Sequence, residues 1–312
     1  MLDRNRSDAR MIRITKDKVC FSMSSTNKPV VDVDQDKLFC VETEDCYSGN
    51  LKSPQDKFTK DMWNTVNPAT GPVYITGLEP GSILRVEIAE INTRDYAVMC
   101  VEHGSGALGE FIEGVETSVL PIRNNCLILS ETLSIPIQPM IGVIGTAPAE
   151  EPVLNGTPGE HGGNMDCKLI TAGSVVYLPV NTRGALLSLG DLHAVMGDGE
   201  VCICGAEVSG EVILEVREES SYIPTPCVET ESHFHFIGSA FTLDECEQIV
   251  LKKAHTFFTK VAKMSANDAA RAMSLLCDLR VCQVVDPLKT MRFSIPKILL
   301  PNEGACPTTR CT

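Results

Sequence analysis

A mainly-β fold, a sandwich or barrel body with a smaller C-terminal α+β section, is what this sequence predicts. Three observations carry that reading. From about residue 11 to 230, short extended runs follow one another, broken by Gly, Pro, Asn and Asp. Helical periodicity is scarce over that span. Beyond it the composition changes to two capped, apolar-periodic helices and two extended runs. At 312 residues and 43% apolar composition, the chain can build one large core or two smaller ones.

Residues 1–10 are polar and read as a loose extension. "SILRVEIAEINT" (82–93) sets Ile83, Val86, Ile88 and Ile91 among polar residues, the pattern of a half-buried strand. "SVVYLPV" and "GALLSLGDLHAV" bracket "NTRG" (181–184), which reads as a hairpin turn. "GEVCICGAEVSGEVILEVREES" (199–220) reads as one long extended stretch with a Gly-based turn inside it. The body is therefore expected to span 11–230, with 231–312 packed on it as the α+β section. "TLDECEQIVLKKAHTFFTKVAKM" (242–264) opens with Thr242 and Glu245 in capping-box spacing, ahead of Ile249, Ala254, Phe257, Phe258 and Val261. "SANDAARAMSLLCD" (265–278) opens similarly with Ser265 and Asp268, and "LRVCQVVD" and "TMRFSIPK" follow as extended runs.

The formal net charge of −14 argues against sequence-independent nucleic-acid binding, which depends on Lys and Arg contacts to phosphate, so no nucleic-acid partner is expected. No run approaches the ~20 apolar residues of a membrane span, so no membrane partner is expected. The start lacks an apolar h-region, so no secretory signal is predicted. The fourteen cysteines form no C-x-x-C pair, and read as small buried apolar residues in a reducing cytoplasm.

Two clusters carry candidate chemistry. "SLGDLHAVMGDGE" (188–200) places Asp191, His193, Asp198 and Glu200 among glycines and apolar residues. Such groups are costly to desolvate without a partner, and either a metal ion or a hydrated turn would relieve them. On a strand, Asp191 and His193 would point to one face. "HGGNMDCK" (161–168) sets His161, Asn164 and Asp166 on a loop that two glycines allow to turn sharply. Imidazole nitrogen with carboxylate oxygen suits Zn²⁺ and related divalent ions. The extra carboxylates fit either a second metal or a general base.

These two stretches resemble the acetamidase/formamidase family of metal-dependent amide hydrolases. So do "VETEDCYSGNL" (41–51), "NPATGPVYITGLEPGSILRVEI" (67–88), "PMIGVIGTAP" (139–148) and "LCDLRVCQVVDPLKTMRFSIPK" (276–297). The blocks run in the family's order over about 11–300. Met196 departs from the glutamine expected in many relatives. The resemblance implies a jelly-roll-like β body with a C-terminal α/β extension. It also implies hydrolysis of small amides of the formamide and acetamide type to carboxylate and ammonia. Its motif residues carry over onto His161, Asn164, Asp166, Asp191, His193, Asp198 and Glu200, with Glu42, Thr43 and Asp45 from the upstream block. His103 in "VEHGSGALGE" is a further candidate, whose alternative is a loop histidine beside glycines.

The expected roles follow from the chemistry. One or two divalent ions, Zn²⁺ ahead of Ca²⁺ or Mg²⁺, would be held by His161, Asp166, Asp191 and His193, and would activate water and polarise the carbonyl. Glu200 or Asp45 would be the base, Asn164 a polariser or orienter, and Asp198 a further catalytic carboxylate. One rival is a thiol amidase using Cys46, whose acidic neighbours Glu44 and Asp45 oppose a thiolate. Another is a non-catalytic β-sandwich holding Ca²⁺, which the histidines oppose. A small amide substrate and a homo-oligomer complete the expectation, the latter because open strand edges need covering.

Overall fold

The computed structural model describes residues 11–300, so the expected extension at 1–10 lies outside the described residues. Two large sheets carry the chain. One has nine strands, in the order Ile12–Ile14, Leu38–Thr43, Gly210–Glu219, Ile83–Thr93, Val175–Pro179, Cys227–Glu229, His233–Ala240, Lys289–Pro296 and Asp278–Gln283. The other has eleven. Its main path runs Leu133–Pro136, Cys126–Ser130, Val115–Arg123, Tyr96–Glu102, Glu207–Val208, Leu187–His193, Met140–Gly145 and Gly162–Asn164. Ala69–Ile75 pairs with Leu187–His193 and carries Val19–Cys20 and Val31–Val33 on its own edge. Val86, Ile88, Val212 and Leu214 of the first sheet share one buried core with Ile141, Leu187, Leu189 and Leu192 of the second. This is the mainly-β sandwich that the alternating runs predict.

Ile83–Thr93 shows how the alternation works. Leu84, Val86 and Ile88 enter the inter-sheet core, while Ile83 packs on the opposite face. Its ladder with Gly210–Glu219 pairs Ile88 with Leu214 and then Glu90 with Ile213, leaving Ala89 as an extra residue. That bulge resets the phase, so Ile91 packs against the same core as Ile88, three positions away.

The turn at 181–184 does not make a hairpin. Val175–Pro179 pairs with Ile83–Thr93 and Cys227–Glu229 in one sheet, whereas Leu187–His193 pairs with Met140–Gly145 in the other. The chain crosses between sheets here, through Ala185 and Leu186 at φ 60° and 57°. Gly184 lies so close to Tyr74 that a Cβ would stand 2.2 Å from the ring. Turn residues mark a reversal of the chain without naming the sheet it rejoins. Two neighbouring readings change likewise. Residues 200–206 form irregular backbone before the strands Glu207–Val208 and Gly210–Glu219. The glycine-hinged loop contains a short strand, Gly162–Asn164, paired with Met140–Gly145.

The C-terminal helices are α1 (Leu243–Lys260) and α2 (Ala266–Leu276). Thr242 and Glu245 close the expected capping box: Glu245 N donates to Thr242 Oγ1 at 3.2 Å, and Thr242 N to Glu245 Oε2 at 3.1 Å. Ser265 caps α2 through Asp268 N at 3.2 Å. Val250, Ala254, Phe257 and Phe258 of α1 pack with Phe236, Phe293 and Ile295, and also with Val175 and Tyr177 of the body. The section beyond residue 230 thus extends the body's own sheet, joined at the pairing of Cys227–Glu229 with His233–Ala240. Replacing Thr242 by Ala leaves the backbone N–H of Glu245 without its side-chain acceptor at the start of α1. A loss of about 1 kcal/mol in a denaturant titration is expected.

Candidate active site

The strand Leu187–His193 is buried at every position and ends in the site. Asp191 sits at φ 56°, a left-handed conformation that interrupts the regular alternation expected there. Asp166 (φ 41°) and Glu200 (φ 49°) share this unfavourable backbone region. Three non-glycine carboxylates held this way indicate conformations imposed by their surroundings, as at strained functional sites. Two glycines make the convergence possible. On Met140–Gly145, a Cβ at Gly142 would lie 2.5 Å from Asp166 Oδ1 and 2.6 Å from Asp191 Oδ2. A Cβ at Gly205 would lie 2.5 Å from His193 Nδ1.

His193 is the centre of the cluster. Its Nε2 stands 3.2 Å from Glu207, 3.5 Å from Asp191, 3.8 Å from Asp166 and 3.9 Å from Glu200. All five side chains are buried. Burial alone would lower the His193 pKa, but Glu207, Asp191 and Asp166 outweigh it and raise it to about 10. Burial and mutual repulsion raise Asp166 to about 6 and lift Glu200 and Glu207 well above the usual carboxylate range. Asp286 is lifted the same way, by desolvation and by Asp166. The site is short of positive charge.

The orphaned atoms bear on whether a cation suits it. Asp166 Oδ1, Asp191 Oδ1, Glu207 Oε2 and His193 Nδ1 are buried without hydrogen-bond partners. Asp166, Asp191 and His193 each bring a ligand atom within 4.8 Å of the others, and so do His193, Glu200 and Glu207. Oxygen and imidazole donors, anionic and unsatisfied, fit a divalent cation.

A cavity of 510 Å³ opens above the cluster, floored by Asp191, Glu200, Glu207, Asn164 and Asp286. Asn164 donates Nδ2 to Asp286 Oδ2 at 2.9 Å, leaving its buried Oδ1 without a partner. Cys46 also lines the cavity, beside Asp191 and Glu207. Burial, then Glu207, Asp191 and Asp45, hold its thiol well above the ordinary value.

Other expected residues stand elsewhere. His161 is buried and its Nε2 is unpartnered, but it belongs to none of these close groups, and its ring lies against Gly159 and Gly163. Burial lowers its pKa to about 4. Asp45 accepts from Tyr47 N at 3.0 Å and Gly49 N at 2.9 Å, and so builds a turn beneath the cavity-lining Cys46. Asp198, expected among the catalytic carboxylates, is instead fixed by Arg292 through two hydrogen bonds of 2.9 and 2.7 Å, with Lys168 3.3 Å away. A carboxylate so neutralised is a brace. Glu42 pairs with Arg13, Thr43 is buried next to Asp45's turn, and Met196 is buried. His103 is an exposed loop residue bonded to Ile112 O.

Glu207 and Asp286 are the residues that the sequence reading missed. Glu207 pairs directly across from His193 on the neighbouring strand, a relation set by sheet register. Asp286 precedes Pro287 and reads as an ordinary turn residue. Gln283 Oε1 accepts from Val285 N and Asp286 N, at 2.9 and 3.1 Å, and so shapes the loop that brings Asp286 to the cavity.

A β sandwich with a buried carboxylate–imidazole cluster under an open cavity has the layout of a hydrolase. The sequence profile of the Acetamidase/Formamidase family matches residues 26–155 and 153–225, and the chain belongs to that family. It is thereby an amidase, a hydrolase of carbon–nitrogen bonds in linear amides. The crystal structure of an acetamidase from Bacillus halodurans is 43% identical and superposes with a TM-score of 0.90, over 92% of this chain and 98% of that one. A putative formamidase of Schizosaccharomyces pombe is 27% identical over 296 residues, covering 68% of this chain and 70% of the relative. The formamidase of Methylophilus methylotrophus is 27% identical over 240 residues, and the match spans 59% of each protein.

Replacing Gly142 by Ala inserts a methyl group where two carboxylates meet. The amidase rate should fall about 10²-fold while far-UV circular dichroism stays native, because displacements near 1 Å at a reacting centre carry losses of that size.

Proposed function

We propose that this centre hydrolyses a small primary amide, R–CO–NH2, to carboxylate and ammonia, with a divalent cation held by Asp166, Asp191 and His193. The observation that carries the reading is the convergence of four buried carboxylates on one imidazole, with oxygens left unpartnered and with Asp191, Glu200 and Glu207 reaching the cavity. The mixed oxygen and nitrogen donors favour Zn²⁺ over Ca²⁺ or Mg²⁺, whose shells are built from oxygen. Such an ion supplies Lewis acidity, lowering the pKa of a water towards ~7 and polarising a carbonyl oxygen. Glu200 and Glu207 are the extra carboxylates available to a second ion or to proton transfer.

The chain's own residues position the substrate and move the proton. Asn164 gives one N–H of its Nδ2 to Asp286, which leaves Oδ1 to accept from the amide NH2 and the second N–H to donate to its carbonyl, so it can serve as an orienter or a polariser. Glu200 takes a proton from the attacking water as its oxygen bonds to the carbonyl carbon. The same carboxyl returns the proton to nitrogen as the C–N bond breaks. Asp45, the other base expected, has one oxygen occupied by its turn. A Cys46 nucleophile would need a lowered thiol pKa, and burial with three carboxylates drives it the other way.

Twelve cysteines of the described residues are free, which supports a reducing, cytoplasmic setting. No helix among the described residues is long and apolar enough to cross a membrane. The reading includes a homo-oligomer. Asp278–Gln283 is an edge strand, and Leu275, Leu276 and Leu279 expose apolar surface at and beside it.

Ammonia release measured over a panel of formamide, acetamide, lactams and peptides tests the reaction, and peptide cleavage without small-amide activity would overturn it. His193→Ala should lose bound metal by elemental analysis and lose activity with it. Cys46→Ser should keep the metal and a substantial part of the rate. Full metal in the first variant with a dead second one reverses the mechanism in favour of the thiol. Light scattering should give a mass at least twice the 33.9 kDa of one chain.

A further inference from the structure

The cavity is much larger than the smallest amides require. Its 510 Å³ lies within the roughly 300–1,000 Å³ of sites that enclose drug-sized ligands, whereas acetamide has only about four non-hydrogen atoms. The carboxylates floor the cavity, and aromatic and aliphatic side chains form much of its wall. Tyr47 and Phe58 meet edge to face at 6.0 Å, and Phe58 meets Trp63 the same way at 4.9 Å, so three rings form a ladder along the lining. Phe21, Val66 and Leu154 add aliphatic and aromatic surface. Trp63 is 49% exposed and Leu154 69%, so this apolar surface stays in contact with water until something covers it.

Charge narrows the class further. Among the described residues, the cavity lining contains Glu102, Asp191, Glu200, Glu207 and Asp286 but no Lys, Arg or His. A substituent bearing a carboxylate or phosphate would meet like charge and find no partner. An uncharged apolar group would cover the ring ladder at no such cost.

We propose that the preferred substrate is a primary amide whose acyl group is uncharged and aryl-sized, an arylalkyl carboxamide, with its ring against Phe58 and Trp63 and its amide beside Asn164. This rests on the hydrolytic reading above. The reaction balances as before: water oxygen bonds to the carbonyl carbon, the C–N bond breaks, and the products are the arylalkyl carboxylate and ammonia. An entering acyl group removes this exposed apolar surface from water, which ties selectivity to apolar area.

The test is a kcat/KM series through acetamide, propionamide, butyramide, hexanamide and phenylacetamide, followed by ammonia release. A rise of about three- to fourfold per added methylene is expected, the ratio that burial of one methylene supports. Phenylacetamide should exceed acetamide by at least about thirtyfold on the same scale. Trp63→Ala should reduce the ratio of phenylacetamide to acetamide about tenfold, within the range of a lost aromatic contact. Trp63 is the sole tryptophan, so its fluorescence reports occupancy without turnover. Phenylacetamide should titrate it saturably where acetamide does not. A series that peaks at acetamide and falls with chain length overturns the proposal, and so does unchanged fluorescence. Saturable fluorescence with no ammonia from any amide leaves the pocket assignment standing and overturns the hydrolytic reading instead.

Discussion

Everything at this site follows from placing more negative charge in a desolvated space than one imidazole can balance. Asp166, Asp191, Glu200 and Glu207 surround His193 with almost no exposure to water. In so low a dielectric, like charges at these distances cannot all remain ionised without compensation. Protons supply it in the chain alone, which is why the carboxyl pKa values rise and that of His193 rises with them. A divalent cation would supply it more completely. The same imbalance that makes the cluster costly to fold would favour a partner carrying positive charge over an anionic one.

Such a cluster must be held from outside, because its members repel one another. The restraint comes from glycine backbone and from neutralised charges one layer away. Gly142 and Gly205 let the sheet approach the carboxylates and the imidazole more closely than any side chain would allow. The Asp198–Arg292 pair ties the 197–200 turn to the strand Lys289–Pro296. Gly199 donates its N–H to Cys282 O at 2.8 Å and accepts from Val284 N at 3.1 Å, which lays the Glu200 turn against the C-terminal strands. Gln283 then orders the loop that delivers Asp286. The C-terminal section is therefore part of the site's frame.

How legible this was depends on whether a feature is local. The strand in 82–93, the capping box at Thr242 and the N-cap at Ser265 are decided within a few residues and form where they are read, although a bulge after Ile88 breaks the strand's alternation. The two motif clusters were visible because their ionisable residues crowd together in sequence, and the structure gathers Asp166, Asp191, His193 and Glu200 into one group of contacts. What was hidden depends on register and on distant partners. Glu207 faces His193 only because two strands pair in one alignment. Asp198 sits between glycines in the same motif as Glu200, yet Arg292, ninety-four positions away, takes both its oxygens. The turn at 181–184 was plain, but the sheet beyond it was set by packing across the core.

The apolar wall and the charged floor belong to one design. Aromatic side chains around the opening reduce the water available to the carboxylates, which strengthens every electrostatic interaction below them. They also give an entering uncharged group something to gain, so the energy of covering Phe58 and Trp63 can be spent on positioning an amide over anionic oxygens. A hydrated, polar-walled cleft over the same residues would lose both effects. Its carboxylates would be better solvated, and each charge in the cluster would act more weakly on its neighbours and on a bound amide.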